Sequence, residues 1–362
     1  MSGKVRVLVV DDSALMRKLI SQILERDSDI EVVGTAMDGE FGLRKIEELN
    51  PHVVTLDLEM PRMDGMETLR QITRRYRLPV IVVSAHSTEG ASATFKALGL
   101  GAFDFVAKPK NAASAHMDEI AADLVGKIKA AAKSQVIPRP APLWIETTKI
   151  ANKPAFRPRK EPSRIIAIGI STGGPNALQY LLSELPGDFS GSIVVVQHMP
   201  EGFTEMFARR LNECCSIDVK EAQSGDLLIA GRALICPGNR HIKVRRMPMG
   251  NIVVLSDEDR MNGHRPSVDV LFRSVASEFG SRAVGVLMTG MGDDGASGMG
   301  LLKNAGAVTI AQSEESCTVY GMPKAAIERG YASRVVPLDT LAHTINVQCS
   351  PERAAKTAQV EG

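Results

Sequence analysis

The chain carries almost no charge imbalance: over 362 residues its formal net charge is +1. Proteins that work on polyanions or anionic membrane surfaces usually show a clear basic excess, so no nucleic-acid partner is expected. There is no C-x-x-C spacing, and the five cysteines are odd in number, with Cys214 and Cys215 adjacent. That pattern supports neither a zinc ribbon nor a disulfide framework, and it fits reduced thiols. No apolar stretch approaches bilayer length, and a strand-like run from Val5 to Val10 begins without a signal-peptide pattern before it. The expectation is a soluble, cytoplasmic protein without membrane insertion. A recognition-helix signal, a basic stripe, a repeat and a low-complexity tract are also absent.

What is present is 44% hydrophobic residues, enough to bury a core in each of two or three domains. Residues 1–130 alternate short apolar runs, ending near Val10, Val33, Leu56, Val83 and Val106, with amphipathic stretches. Leu15, Met16, Leu19, Ile20, Ile23 and Leu24 fall at helical spacing behind Ser13, a candidate N-cap. This βα rhythm predicts an α/β fold, a small doubly wound domain on five parallel strands. Residues 131–163 lose the periodicity and hold Pro138, Pro140, Pro142, Pro154, Pro158 and Pro162, which reads as an extended linker, with Trp144 and Ile145 as its apolar interruption.

From 164 to 346 the rhythm returns, predicting a second α/β domain with a mainly parallel sheet, followed by a tail over 347–362. Ile165 to Ile170, Ile193 to Gln197 and Val284 to Thr289 read as buried strands. His241 to Met247 and Ile252 to Ser256 read as a hairpin.

Asp11 and Asp12 follow the first strand, and Asp57 ends the third. Parallel strand order brings the three to one crevice, where open α/β sheets bind ligands. Clustered carboxylates need a hard cation, and Mg²⁺ is the natural one because it takes oxygen ligands and keeps waters. Lys108 and Ser84, also at strand ends, can meet two phosphoryl oxygens, leaving Asp57 as the nucleophile for an acyl phosphate. The plainer alternative is that the aspartates cap the following helices.

Gly169-Ile170-Ser171-Thr172-Gly173 lies between a strand and a helix, the setting of a G-x-S-x-G nucleophile elbow. A nucleotide cradle is disfavoured, since G-x-G-x-x-G is not matched and the P-loop lysine is missing. Serine needs a base, and His198, at the end of the next strand, sits on the same sheet edge. His241 and His264 have weaker claims, while His52, His86 and His116 belong to the first domain. Asp293 and Asp294, after a third strand, are both candidates for the acid that orients the histidine. Thr172 N–H, and a donor from Gly290-Met291-Gly292, are the oxyanion candidates. The chain order Ser, His, Asp differs from that of α/β-hydrolases, so the elbow is an analogy of local geometry.

Two resemblances add to this reading. Over residues 1 to about 125 the sequence resembles the receiver domains of two-component response regulators. The matching residues are Asp11-Asp12, Asp57 followed by Met60-Pro61-Arg62-Met63-Asp64-Gly65, Ser84-Ala85 and Lys108-Pro109. The resemblance implies a flavodoxin-like fold and phosphorylation of Asp57 by a histidine kinase. It further implies a Mg²⁺ site of Asp12, Asp57 and Asp11, and switch roles for Ser84, Lys108 and Phe105, where Phe stands in place of the commoner Tyr; a buried core phenylalanine accounts for Phe105 equally well.

From about Arg164 to about Thr344 the sequence resembles the catalytic domain of the chemotaxis protein-glutamate methylesterases, the CheB family. The residues that carry it include Gly169 to Pro175, Gln197-His198-Met199-Pro200, Arg265-Pro266-Ser267-Val268-Asp269, Thr289 to Gly295 and Tyr320-Gly321-Met322-Pro323. It implies Ser171 as nucleophile, His198 as base and Asp294 as the orienting acid, with no cofactor at the esterase site. The substrates it implies are glutamate methyl esters, and some glutamines, of methyl-accepting chemotaxis receptors.

The basic cluster Arg240, Lys243, Arg245 and Arg246 reads as a solvated hairpin face, and the sixteen methionines as core filling. The competing function class is a non-catalytic regulator whose second domain binds a partner. The enzyme reading expects phosphorylation to uncover a serine site otherwise masked by the receiver and linker.

Overall fold

The structure, a computed structural model, describes residues 3–85, 87–108, 117–134 and 161–350. Most of the expected linker, the tail beyond 350, and His86, Pro109 and His116 lie outside the described residues. The chain forms two compact units, Met1–Glu146 and Thr147–Gly362.

The first unit has strands β1 (Val5–Val10), β2 (Ile30–Ala36), β3 (Val53–Asp57), β4 (Val80–Ser84) and β5 (Asp104–Ala107). They form one sheet in the order β2-β1-β3-β4-β5, parallel throughout. The reason is visible in the residues: β3 and β4 are buried along their whole length, and continuous apolar runs suit a parallel sheet covered on both faces. Helices Ala14–Glu25, Gly39–Leu49, Gly65–Gln71, Thr88–Gly99 and Met117–Lys133 make the crossovers and the closing layer. Ser13 is the N-cap of the first helix, its hydroxyl accepting from Met16 N–H at 3.4 Å. The neighbouring aspartates therefore do not serve as that cap. The chain reverses direction across the sheet between β1 and β3, which is the switch point where such sheets hold ligands.

The second unit is built on β6 (Ile165–Ile170), β7 (Ser192–Gln197), β8 (Asp218–Glu221), β9 (Arg232–Ile235), β12 (Ala283–Leu287), β13 (Val308–Gln312) and β14 (Arg334–Val336). The order is β14-β13-β12-β6-β7-β9-β8, again parallel in every pairing. The hairpin is a separate antiparallel pair of β10 (His241–Arg245) and β11 (Ile252–Ser256), its first strand ending before the expected Met247.

β6 sits between β7, reached first, and β12, reached on the chain's return. The switch point of this sheet is therefore at the carboxyl ends of β12, β6 and β7. Val194, Leu234, Val268, Phe272, Leu287 and Met299, each fully buried, belong to the core that supports it. The last helix, Leu338–Gln348, runs two residues beyond the expected limit at 346, and Met117–Lys133 runs three beyond 130.

Candidate active site and phosphoacceptor pocket

Ser171, His198 and the Thr289–Asp294 turn come off β6, β7 and β12, three neighbouring strands. The ladder continues past their ends: Ser171 N–H donates to Thr289 O at 3.0 Å, and His198 N–H to Ile170 O at 3.1 Å. Gln197, 2% exposed, locks the two turns together by donating from Nε2 to Ser171 O at 3.0 Å and to His198 O at 3.1 Å. After Ser171 the chain must turn sharply into helix Gly174–Ser183. Gly173 does so with φ at 74°, and a Cβ there would lie 2.4 Å from Thr318 Cβ, so glycine is required twice over.

His198 bridges the serine and the acid. Nδ1 lies 3.2 Å from Ser171 Oγ and Nε2 lies 2.9 Å from Asp294 Oδ2. A carboxylate only accepts, so the proton sits on Nε2 and leaves Nδ1 free to take one from serine. This ring orientation is the reverse of the serine-protease arrangement, where Nε2 faces the serine. Asp293 is exposed and pairs with Arg329. Of the two candidate acids, the one facing His198 is Asp294.

Asp294 is 1% exposed, and its oxygens are heavily engaged. Oδ2 also accepts from Val268 N–H at 2.7 Å, and Oδ1 accepts from Ser267 Oγ at 2.8 Å, Asn262 Nδ2 at 3.1 Å and Asp269 N–H at 3.3 Å. Burial pushes its carboxyl up. The His198 hydrogen bond and charge, with the Val268 and Ser267 donors, outweigh burial and hold it well below the usual carboxylate range.

Among the described residues neither Thr172 N–H nor Met291 N–H has an acceptor, which leaves both oxyanion candidates available. Thr172 itself is buried, whereas Met291 is 40% exposed.

The other histidines separate cleanly. His264 stacks on His198, and burial together with the His198 charge pushes its imidazole down to about 4. His241 is buried behind the site: its Nδ1 accepts from Ser267 N–H at 3.2 Å, and its Nε2 lies 3.0 Å from Asp259 O. Asn262 and Ser267 reach Asp294 from a segment about thirty residues away in the chain. The sequence singled out neither as a site residue, because nothing in their spacing marks them.

In the first unit Asp11, Asp12 and Asp57 meet at the β1/β3 switch point, with one carboxylate oxygen of each lying within 4.8 Å of the others. Lys108 Nζ reaches Asp57 Oδ2 at 2.6 Å and Asp11 Oδ2 at 3.2 Å. Asp11 and Asp57 are buried and Asp12 is exposed. Burial, and then the Asp57 charge, push the Asp11 carboxyl up despite Lys108. A pocket of three carboxylates and one ammonium is thus short of positive charge, and an all-oxygen donor set suits a hard cation.

Ser84 ends β4 as expected, but its hydroxyl donates to Gly90 O at 3.2 Å. Phe105 is buried, edge-on to Phe95 with centroids 6.2 Å apart. Lys127 Nζ donates to Phe105 O at 2.7 Å and lies 5.4 Å from its ring centroid.

Fold and geometry together define a phosphoacceptor domain joined to a serine-hydrolase-type site. Comparison with known proteins agrees. The response regulator receiver domain family model matches residues 7–117, and the CheB methylesterase family model matches residues 166–345. A protein-glutamate methylesterase/protein-glutamine glutaminase 2 of Koribacter versatilis strain Ellin345 is 62% identical over 356 residues, covering 97% of this chain and 98% of the relative. A protein-glutamate methylesterase/protein-glutamine glutaminase 1 of Geobacter metallireducens is 47% identical, covering 92% of this chain and 93% of the relative. The solved Thermotoga maritima CheB methylesterase catalytic domain matches with a TM-score of 0.50 and 38% identity, covering 51% of this chain and 97% of that structure. The chain belongs to the CheB methylesterase family, with a response regulator receiver domain ahead of the catalytic domain. Among the described residues no helix is long and apolar enough to cross a membrane.

Proposed function

We propose that this chain is a cytoplasmic protein-glutamate methylesterase and protein-glutamine glutaminase acting on methyl-accepting chemotaxis receptors, switched by phosphorylation of Asp57. The observation that carries it is the unbroken chain of contacts from Ser171 Oγ through His198 to Asp294 at one sheet switch point.

In the reaction, Ser171 Oγ attacks the γ-carbonyl carbon of a glutamyl methyl ester while its proton passes to His198 Nδ1. Asp294 holds the ring and stabilises the imidazolium through Nε2–H. The oxyanion is met by the N–H groups of Thr172 and Met291. The C–O bond to methoxide then breaks, and His198 returns the proton so that methanol leaves. Water attacks the acyl-enzyme with His198 again as base, releasing glutamate and restoring Ser171. The same steps on a glutamine carboxamide release ammonia.

In the receiver, Asp57 accepts the phosphoryl group from a histidine kinase, and Lys108 neutralises one of its oxygens. Asp11, Asp12 and Asp57 would hold Mg²⁺, which when bound offsets the charge of the carboxylates and the phosphoryl group. Residues 134–163 connect the two domains in sequence, and 349–362 follow the last helix.

The test is methanol release from membranes bearing methylated chemoreceptors. Wild-type protein should release methanol and Ser171→Ala should release none. Release by both would remove Ser171 as nucleophile, and release by neither would favour a non-catalytic regulator.

A further inference from the structure

Asp294 has a second carboxylate beside it. Asp269, on helix Val268–Phe279, is 2% exposed, and its backbone N–H donates to Asp294 Oδ1 at 3.3 Å. Two buried carboxylates in one cluster disfavour each other's charge unless donors stand between them. The donor between them is Asn262. Its Nδ2 lies 2.9 Å from Asp269 Oδ2 and 3.1 Å from Asp294 Oδ1. An amide nitrogen carries two hydrogens and the amide oxygen none, so this orientation alone serves both neighbours. Asn262 reaches them with φ at 54°, a left-handed conformation that asparagine tolerates better than most residues. The other oxygen of Asp269 accepts from Gly298 N–H at 2.6 Å, in the first turn of helix Ala296–Asn304. Asp269 therefore braces both Asn262 and the helix that follows Asp294.

We propose that Asn262 and Asp269 are positioning residues for the hydrolytic reaction: they aim the Asp294 carboxylate at His198 without touching substrate. This rests on reading Ser171, His198 and Asp294 as the catalytic set. The titratable and charged groups near this cluster are His198, His264 and, acting on His264, Arg260, with Asp293 on the turn, Arg273 acting on Asp269, and His241 behind Ser267.

Removing the amide withdraws a donor from Asp294, so its negative charge acts more fully on His198 and favours the imidazolium. Since hydrolysis needs the neutral ring, the acid limb of the pH–rate profile moves to higher pH. An added carboxylate at position 262 moves it further.

The test is steady-state kinetics of the full chain on a glutamyl γ-methyl ester peptide across the neutral range, comparing wild type with Asn262→Ala, Asn262→Asp, Asp269→Asn and Asp294→Asn. The expectation for Asn262→Ala is a kcat lowered roughly ten- to hundredfold, the scale of one hydrogen bond to a charged group, with KM little changed and the acid limb raised. A loss of kcat with an unmoved acid limb, or no loss at all, overturns the proposal. Wild-type rates in Asp294→Asn would instead overturn the catalytic set on which it rests. Asn262→Ser carries the same test if the alanine variant does not fold.

Discussion

The imidazole of His264 lies flat on that of His198, with ring centroids 4.0 Å apart and planes 9° from parallel. Two stacked imidazoles cannot comfortably both be charged. Burial and the neighbouring ring make His264 the one that stays neutral, pushed down to about 4.

His264 should therefore titrate near 4 in a histidine-resolved NMR pH series, assigned with His264→Asn. The sign for stability follows from the depressed value. An unfolded histidine binds its proton near pH 6.5, so between there and about 4 the unfolded state holds the extra proton. The contribution is whole above the unfolded value and is lost as pH falls through the folded one. Thermal unfolding of the catalytic domain should show this loss, and His264→Asn should reduce it. Titration of the assigned His264 resonance at an ordinary histidine value would contradict the assignment.

Asp294→Asn tests the acid directly. The carboxylate that accepts from Nε2–H becomes an amide, which can present a donor to His198 and trap the wrong tautomer. In comparable triads this costs on the order of 10³–10⁴ in kcat, so a similar fall in methanol release is expected with circular dichroism unchanged. Asp293→Asn, which alters an exposed partner of Arg329 and no hydrogen bond of His198, should remain near wild type.

Lys127 should prove structural. It is 7% exposed, 3.6 Å from Asp104 Oδ1 and 3.1 Å from Asp123 Oδ2. Burial pulls its ammonium down, but the two carboxylates outweigh this and raise it overall. Its contribution is thus present throughout the neutral range and is lost only as pH rises through the raised value. Lys127→Met removes the buried cation that faces Asp104 and Asp123 and should cost the receiver about 3–5 kcal/mol in urea unfolding. Removing both charges, in Lys127→Met/Asp104→Asn, should recover most of it. Equal loss in the single and double variants would contradict the pairing.

The sequence exposed most of this architecture for a simple reason. Buried parallel strands are largely apolar runs, and β4, β6 and β7 are of that kind. The strands it left unread are of other kinds. Asp218–Glu221 and Arg334–Val336 are sheet edges with half-exposed, charged sequences, and Arg232–Ile235 is only four residues long. Val308–Gln312 is buried but carries Thr309 and Gln312, whose side chains bond Tyr331 O and Thr289 N–H, so its apolar run is broken.

The site divides in the same way. Ser171, His198, Asp57 and Lys108 could be singled out because each falls at or just beyond a strand end, whereas Asp294 was one of two candidates on its turn until the resemblance to the CheB family chose between them. Asn262, Asp269 and the stacking of His264 on His198 were not, because they depend on where the segment between the hairpin and helix Val268–Phe279 lies in space. The reversed orientation of the His198 ring is likewise a matter of side-chain geometry, which no spacing encodes.

Divalent cations should matter to one half of the chain alone. Chelation should abolish phosphorylation of Asp57 by a small-molecule phosphodonor, since the pocket of Asp11, Asp12 and Asp57 then lacks the charge it needs. Basal methanol release should persist under the same conditions. Phosphoprotein gels run beside the esterase assay would separate the two, and loss of basal release on chelation would contradict a metal-free serine site.

One switch, at Asp57, is expected to govern one serine site. The most direct measurement is methanol release from methylated receptor membranes, with Mg²⁺, before and after addition of a small-molecule phosphodonor, in wild type and Asp57→Asn. Release should rise in wild type and stay at the basal rate in Asp57→Asn. A rise of equal size in both would place the control elsewhere and contradict a switch at Asp57.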